Sequence, residues 1–259
     1  MELGLTERVV VVTGGSSGIG AALATAYGGE GARVAITYRA NRDGALRTAA
    51  AVEQAGGQAM VVPFDLAAPD SARSMVDAVV DQWRRLDVLV ANAVAWPQRS
   101  SSGRFEDLPR SSWQGGLRTN VEGTFALVQA AVLHMRAARW GRILFISTGL
   151  AEEGMPGGES YTAGKAALHG LARSLAWDLG PDGILVNVLA AGLTLTERNL
   201  ANLPPELRQG VAARVPLGRL SQPEELTAPA LFLTAEANRS ITGEVLREGS
   251  STGRSAHRP

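Results

Sequence analysis

Four consecutive valines, Val9 to Val12, run through Thr13 into Gly14-Gly15-Ser16-Ser17-Gly18-Ile19-Gly20 and then into an alanine-rich stretch. No other segment limits the fold so tightly. An unbroken β-branched run without polar alternation is a strand covered on both faces, so it belongs inside a parallel sheet. Glycines let the backbone after it turn sharply and press against a ligand. Free N–H groups at the start of the next helix draw a negative charge. The spacing predicts a strand, a tight loop and a helix that hold a dinucleotide pyrophosphate through Gly14, Ser16, Ser17, Gly18, Ile19 and Gly20. An ordinary strand-to-helix turn has the same outline. A second chemistry also fits, because residues 14–18 read G-x-S-x-G, which would make Ser16 the nucleophile of an esterase. That reading needs a histidine, and His169 falls in an expected helix while His257 lies in the tail.

The remainder repeats the alternation. Apolar runs at 9–13, 33–38, 59–64, 88–91, 142–147, 185–189 and 244–247 read as strands, and stretches at 19–30, 43–55, 68–83, 113–138, 161–179 and 223–233 read as helices. Such alternation predicts an α/β fold, a single doubly wound parallel sheet of Rossmann type with helices on both faces. Neither a linker nor a repeat divides the chain, so residues 1–259 are expected to form one dinucleotide-binding and catalytic domain. Two segments are too long for simple connections, 149–160 and 193–218. Both follow strands, at the carboxyl ends where an open sheet binds ligands, and 193–218 is the expected substrate loop. The tail, about 249–259, is polar and basic and is expected to pack loosely.

Composition removes whole classes of function. There is no cysteine, which excludes disulfides, Cys-ligated zinc and thiol catalysis. Lys plus Arg and Asp plus Glu each number 25, and a net charge of zero argues against nucleic acid as a partner. No apolar run approaches the roughly 20 residues a bilayer demands, so no membrane association is expected. Residues 1–8 carry two Glu and no apolar core, unlike a signal peptide, and the cytoplasm is the expected location. His134, His169 and His257 lack ligand spacing, so no metal site is expected.

A second motif is Ser160-Tyr161-Thr162-Ala163-Gly164-Lys165. Four residues apart at a helix start, Tyr161 and Lys165 share a face. A phenol titrates near about 10 and is a poor acid–base catalyst at neutral pH, but an ammonium beside it favours the phenolate. The pair suits proton exchange with an alcohol or carbonyl oxygen, although the same spacing fits a solvated surface pair.

Together these motifs resemble the short-chain dehydrogenase/reductase family in its compact form of about 250 residues, over residues 9 to about 242. The resemblance implies hydride transfer between a nicotinamide and a carbonyl carbon. It makes Asn120, Thr148, Tyr161 and Lys165 the catalytic set. Tyr161 would be the proton donor, and Lys165 would also grip the nicotinamide ribose. Asp65, with Leu66 beside it, looks like the family's adenine contact. Asn92-Ala93 looks like its N-A-G sequence, and Thr194 and Thr196 fall in the loop that meets the nicotinamide. Thr148 stands where the family usually has Ser, with Ser147 as the fallback. Val94 replaces the Gly of N-A-G, Ala191-Gly192 replaces Pro-Gly, and Glu248-Gly249-Ser250 replaces D-G-G.

At the end of the second expected strand the chain reads Thr37-Tyr38-Arg39, with no acid to hold a ribose 2′-hydroxyl. Arg39, beside Tyr38 and near Arg42, suits a 2′-phosphate, so NADP(H) is the expected cofactor. The expected activity is ketone reduction, with Trp96, Met155, Leu193, Leu195 and Leu203 as candidate walls for a polyketide or other hydrophobic ketone. A 3-oxoacyl carrier-protein reductase and a non-catalytic nucleotide sensor remain alternatives. The family forms dimers and tetramers through its long helices, so a homodimer or homotetramer is expected by resemblance.

Overall fold

Each expected strand takes its place in one sheet of the computed structural model, which describes residues 2–96 and 104–249. The strands are β1 (Val9–Val12), β2 (Arg33–Tyr38), β3 (Gln58–Pro63), β4 (Val88–Ala91), β5 (Gly141–Thr148), β6 (Ile184–Ala191) and β7 (Val245–Arg247). They pair in the order β3-β2-β1-β4-β5-β6-β7, and every pairing is parallel. The connecting helices are α1 (Gly18–Gly29), α2 (Arg42–Gln54), α3 (Ser71–Trp83), α4 (Arg110–Leu117), α5 (Gly123–Ala138), α6 (Leu150–Glu153), α7 (Glu159–Leu179), α8 (Glu197–Asn202), α9 (Pro205–Ala212) and α10 (Thr227–Thr234).

Alternation along β1 explains why all four valines are apolar. Val9 and Val11 join the core formed with α3, α5 and α7, and Val10 and Val12 join the core formed with α1, α2 and α10. The sheet is thus covered on both faces. Tyr27 on α1 is fully buried there, and its hydroxyl shares a 2.7 Å hydrogen bond with Thr234 on α10.

The structure departs from expectation mainly in two helices. The stretch 113–138 is not one helix: a wide π turn, Arg118–Glu122, separates α4 from α5. The wide turn aims the Asn120 side chain at the backbone of Ala95, 25 positions earlier in the chain. The expected helix 223–233 opens as a tight turn, Pro223–Leu226, before α10 begins. Within 193–218 the polar patch resolves into α8 and α9. Of the expected loose tail only Gly249 lies within the described residues. Among the described residues no helix is long and apolar enough to cross a membrane.

At the amino ends of the central strands one carboxylate gathers several partners. Asp87 is 1% exposed; it accepts a 2.8 Å hydrogen bond from the Val9 N–H and paired bonds of 2.7 and 2.6 Å from Arg85. Arg8 adds a 3.2 Å contact. The Arg84-Arg85 run is therefore partly structural. Removing a buried carboxylate from such a cluster strands its donors. Asp87→Ala should lower the unfolding free energy by about 2–4 kcal/mol in a denaturant titration; a loss under about 0.5 kcal/mol would mean the cluster is only a surface contact.

Candidate active site

The glycine loop owes its shape to hydrogen bonds on both sides. Gly14, at φ +65°, donates to the Thr37 hydroxyl at 3.1 Å, and Gly15 donates to the Thr37 carbonyl at 3.0 Å. Opposite, the Asn92 amide donates to the carbonyls of Thr13 and Gly14 at 2.9 and 3.3 Å. A Cβ on Gly20 would stand 2.4 Å from the Gly14 oxygen, so only a bare backbone lets α1 begin this close to β1. Ser17, at the helix start, makes no side-chain cap, and the first turn of α1 carries no acid. The positive end of that helix is therefore left for an external anion.

Beyond the loop lies a cleft of about 650 Å³ between the carboxyl ends of β1 and β4. It is lined by Gly14, Ser16, Ser17, Gly18, Ile19 and Gly20 on one side, and by Tyr38, Arg39, Asp65 and Leu66 towards β2 and β3. Asn92, Ala93 and Val94 form its floor, and Thr196 closes over it, with Cγ2 3.1 Å from where a Cβ on Gly18 would stand. Arg39 is exposed at the rim and makes no ion pair among the described residues. A bare-backbone cradle, an unclaimed helix end and a free guanidinium in one crevice fit a phosphate-rich dinucleotide.

Helix α7 carries Tyr161 and Lys165. Tyr161, Lys165 and His169 repeat every four residues, and all three are buried. Burial pushes the Tyr161 phenol up to about 12, against a hydrogen bond with the Thr148 hydroxyl and the charge of Arg198, which pull it back. Burial lowers Lys165 to about 8. Its Nζ donates 2.6 Å to the carbonyl of Ile146. Asn120 sits in the π turn, a form that recurs at functional sites. Its side chain clamps Ala95, donating to the carbonyl and accepting from the N–H, each at 2.8 Å.

Strand alternation separates Ser147 from Thr148. Ser147 turns towards α7, where its hydroxyl shares a 2.8 Å bond with His169 Nε2, so the structure gives the position beside Tyr161 to Thr148. Thr194 also turns inward: it is 2% exposed and its hydroxyl returns to the Gly192 carbonyl at 3.2 Å. Neither reaches the cleft. Leu193 and Met155 are half-buried on the flanking loops, and neither lines the cleft. Trp96 does line it and stacks on Tyr161. His169 is held by Ser147 and lies 3.9 Å from the Glu152 carboxylate, which leaves it unavailable to Ser16 as the esterase reading requires.

Two residues with clear roles were not apparent from the sequence. Glu248 stands where the resembling family has Asp, and its carboxylate accepts from Ser221 and from the Gly192 N–H at 3.2 Å, tethering the segment after β6. Arg198 lies over the Trp96 indole. Its only cue in the sequence was its place two residues beyond Thr196.

Comparison with known proteins agrees with this geometry. A family profile described as "Enoyl-(Acyl carrier protein) reductase" matches residues 14–247. The chain is 38% identical over 247 residues to the L-rhamnose 1-dehydrogenase (NAD(P)(+)) of Azotobacter vinelandii, covering 93% of this chain and 95% of that one. It is 37% identical over 241 residues to the cis-4-hydroxycyclohexanecarboxylate dehydrogenase of Sinomonas cyclohexanicum, covering 93% and 94%. It is 32% identical over 246 residues to the 3-oxoacyl-[acyl-carrier-protein] reductase of Aquifex aeolicus, covering 95% and 97%. A short-chain type dehydrogenase/reductase from Mycobacterium marinum superposes with a TM-score of 0.88, at 29% identity and 98% coverage of both chains.

Proposed function

The chain belongs to the short-chain dehydrogenase/reductase family, and from that premise we propose that it reduces a ketone to a secondary alcohol with NADPH. Its family uses a nicotinamide cofactor, NAD(P)(H), which when bound supplies or accepts the hydride. One observation carries the proton-donor role: the Tyr161 phenol is buried beside the Thr148 hydroxyl, and burial favours its protonated form, so it can give a proton to a carbonyl oxygen. Thr148 orients that oxygen, and protonated Lys165, one helical turn away, stabilises the phenolate left behind. Asn120 positions the loop after β4 through its clamp on Ala95.

The cofactor reading rests on the glycine loop for the pyrophosphate and on Arg39 for a 2′-phosphate. Glycine-loop residues, Tyr38, Asp65, Leu66, Asn92 and Thr196 complete its binding surface. The substrate is a small carbonyl compound, and the indole of Trp96 supports an apolar one such as a polyketide. A carrier-protein thioester is the second reading, favoured by the description of the matching profile and by the Aquifex relative.

Self-association is part of the proposal. Helix α5 exposes Phe125 and Leu133, and α7 exposes Trp177 at 87%. Large apolar side chains left exposed on these two helices support this reading. Light scattering should give two or four times the mass of the chain, and a strictly monomeric mass would remove this element.

Two substitutions test the chemistry. Tyr161→Phe should cut ketone reduction roughly a hundredfold or more with NADPH affinity nearly unchanged; a matching loss of cofactor binding would refute its role as acid. In the parent enzyme kcat/KM should hold through neutral pH and fall above about 8, where Lys165 loses its proton. Arg39→Ala should weaken NADPH roughly ten- to a hundredfold and leave NADH little affected. Equal effects on both nucleotides would overturn the phosphate role.

A further inference from the structure

Two side chains stack beside the Tyr161 phenol where it meets the cleft. Trp96 lies against Tyr161 with ring centroids 5.1 Å apart and planes 21° from parallel. The Arg198 guanidinium lies over the same indole, 4.2 Å from its centroid. Trp96 and Arg198 both line the cleft, whereas Tyr161 is buried. A flat carbonyl compound that reaches the phenol along the Trp96 face displaces the guanidinium from this stack. Moving the guanidinium aside is inexpensive, since an exposed cation–π contact is weak.

The consequence lies in where the guanidinium goes next. Among the described residues Arg198 makes no ion pair. Glu197, the neighbouring residue, lines the same cleft without pairing to it. A neutral ketone that displaced the stack would give the cation nothing in exchange. A carboxylate would meet a planar fork of donors that matches it in two bonds. The vacated indole face is at the same time a platform for a flat ring.

We propose that Arg198 binds a carboxylate on the substrate, and that the substrate class is a planar ketone bearing that carboxylate across the ring from its carbonyl. This rests on the ketone-reductase reading above and narrows it. Arg198 is a specificity-determining residue, and Trp96 is the surface against which the ring lies.

The test compares para-acetylbenzoate with its methyl ester on the NADPH-loaded enzyme. The acid should be the better substrate, and Arg198→Met should lower the acid-to-ester ratio of kcat/KM at least tenfold, with Arg198→Lys recovering part of it. An equal loss on both compounds overturns the proposal. So does a tenfold weakening of NADPH binding in Arg198→Met, which would assign the cation to the cofactor's phosphates. If neither compound is reduced, the ketone reading fails, and binding then decides this proposal separately. Para-acetylbenzoate should quench indole fluorescence in the parent protein, not in Trp96→Phe, and should need at least tenfold more ligand in Arg198→Met. Absence of that quench in the parent protein would end the proposal.

Discussion

The hydrogen bonds between Thr13 and Asn92 hold the junction on which the site is built. Strands β1 and β4 are neighbours in the sheet, but their connections leave in opposite directions, so a crevice opens at their carboxyl ends. Without a tie, that opening would leave backbone groups unpaired where the strands part. The Thr13 hydroxyl donates to the Val90 carbonyl and accepts from the N–H groups of Asn92 and Ala93, at 2.9 and 3.0 Å. The Asn92 amide completes the tie from the other side. A Cβ on Gly20 would stand 2.6 Å from that amide nitrogen, so the helix that faces the cofactor is seated on the same junction. From Ala93 the chain reaches Ala95, which Asn120 clamps at both backbone groups, and then Trp96. The cradle, the floor and the wall over the Tyr161 phenol thus share one anchor.

Helix α7 shows what the site costs the fold. Its row of Tyr161, Lys165 and His169 places a phenol, an ammonium and an imidazole in the interior, and burial disfavours the charged form of each. The penalty is tolerated because the polar atoms are occupied. Lys165 is bonded to Ile146, and His169 shares its hydrogen with Ser147 and faces Glu152, which pairs with Arg247 on β7. That second row of bonds ties β5, α6, α7 and β7 behind Tyr161 and Lys165. It supports the orientation of Tyr161 and Lys165 without touching the cleft. Burial, together with the nearby charges of Arg173 and Lys165, keeps His169 neutral, which avoids two adjacent buried cations on one helix.

What was legible in the sequence follows from how far apart the determining residues lie. Strand and helix periods are local, and the Val9–Val12 run and the glycines after it carry their own explanation within a dozen residues. The strands and their doubly wound parallel sheet were therefore accessible. The π turn was not, because its cause is a contact between Asn120 and Ala95 across 25 positions. The resemblance put Thr148 ahead of Ser147, but the strand's own pattern could not, because either register suits an apolar strand covered on both sides. Trp96, Tyr161 and Arg198 come from three separate elements and have no period in common. Thr194 and Thr196 illustrate the same limit at short range. Two residues apart in one loop, one turns into the protein and the other caps α8 at the cleft.

Charge makes the point in another way. Equal numbers of acids and bases exclude a broad basic face, yet they say nothing about the field inside a crevice. The cleft carries a guanidinium towards each end, Arg39 beside β2 and Arg198 beside Trp96, and two carboxylates, Asp65 and Glu197. Asp65 has a structural partner, accepting from the Ala67 N–H at 2.9 Å. Neither arginine has an acidic one among the described residues. A cation without a counter-ion in a partly enclosed site is worth more to an arriving anion than the same cation on an open surface, because less water competes for it. The recognition capacity of this cleft therefore comes from which charges are left unpaired, and that is decided by tertiary contacts rather than by composition.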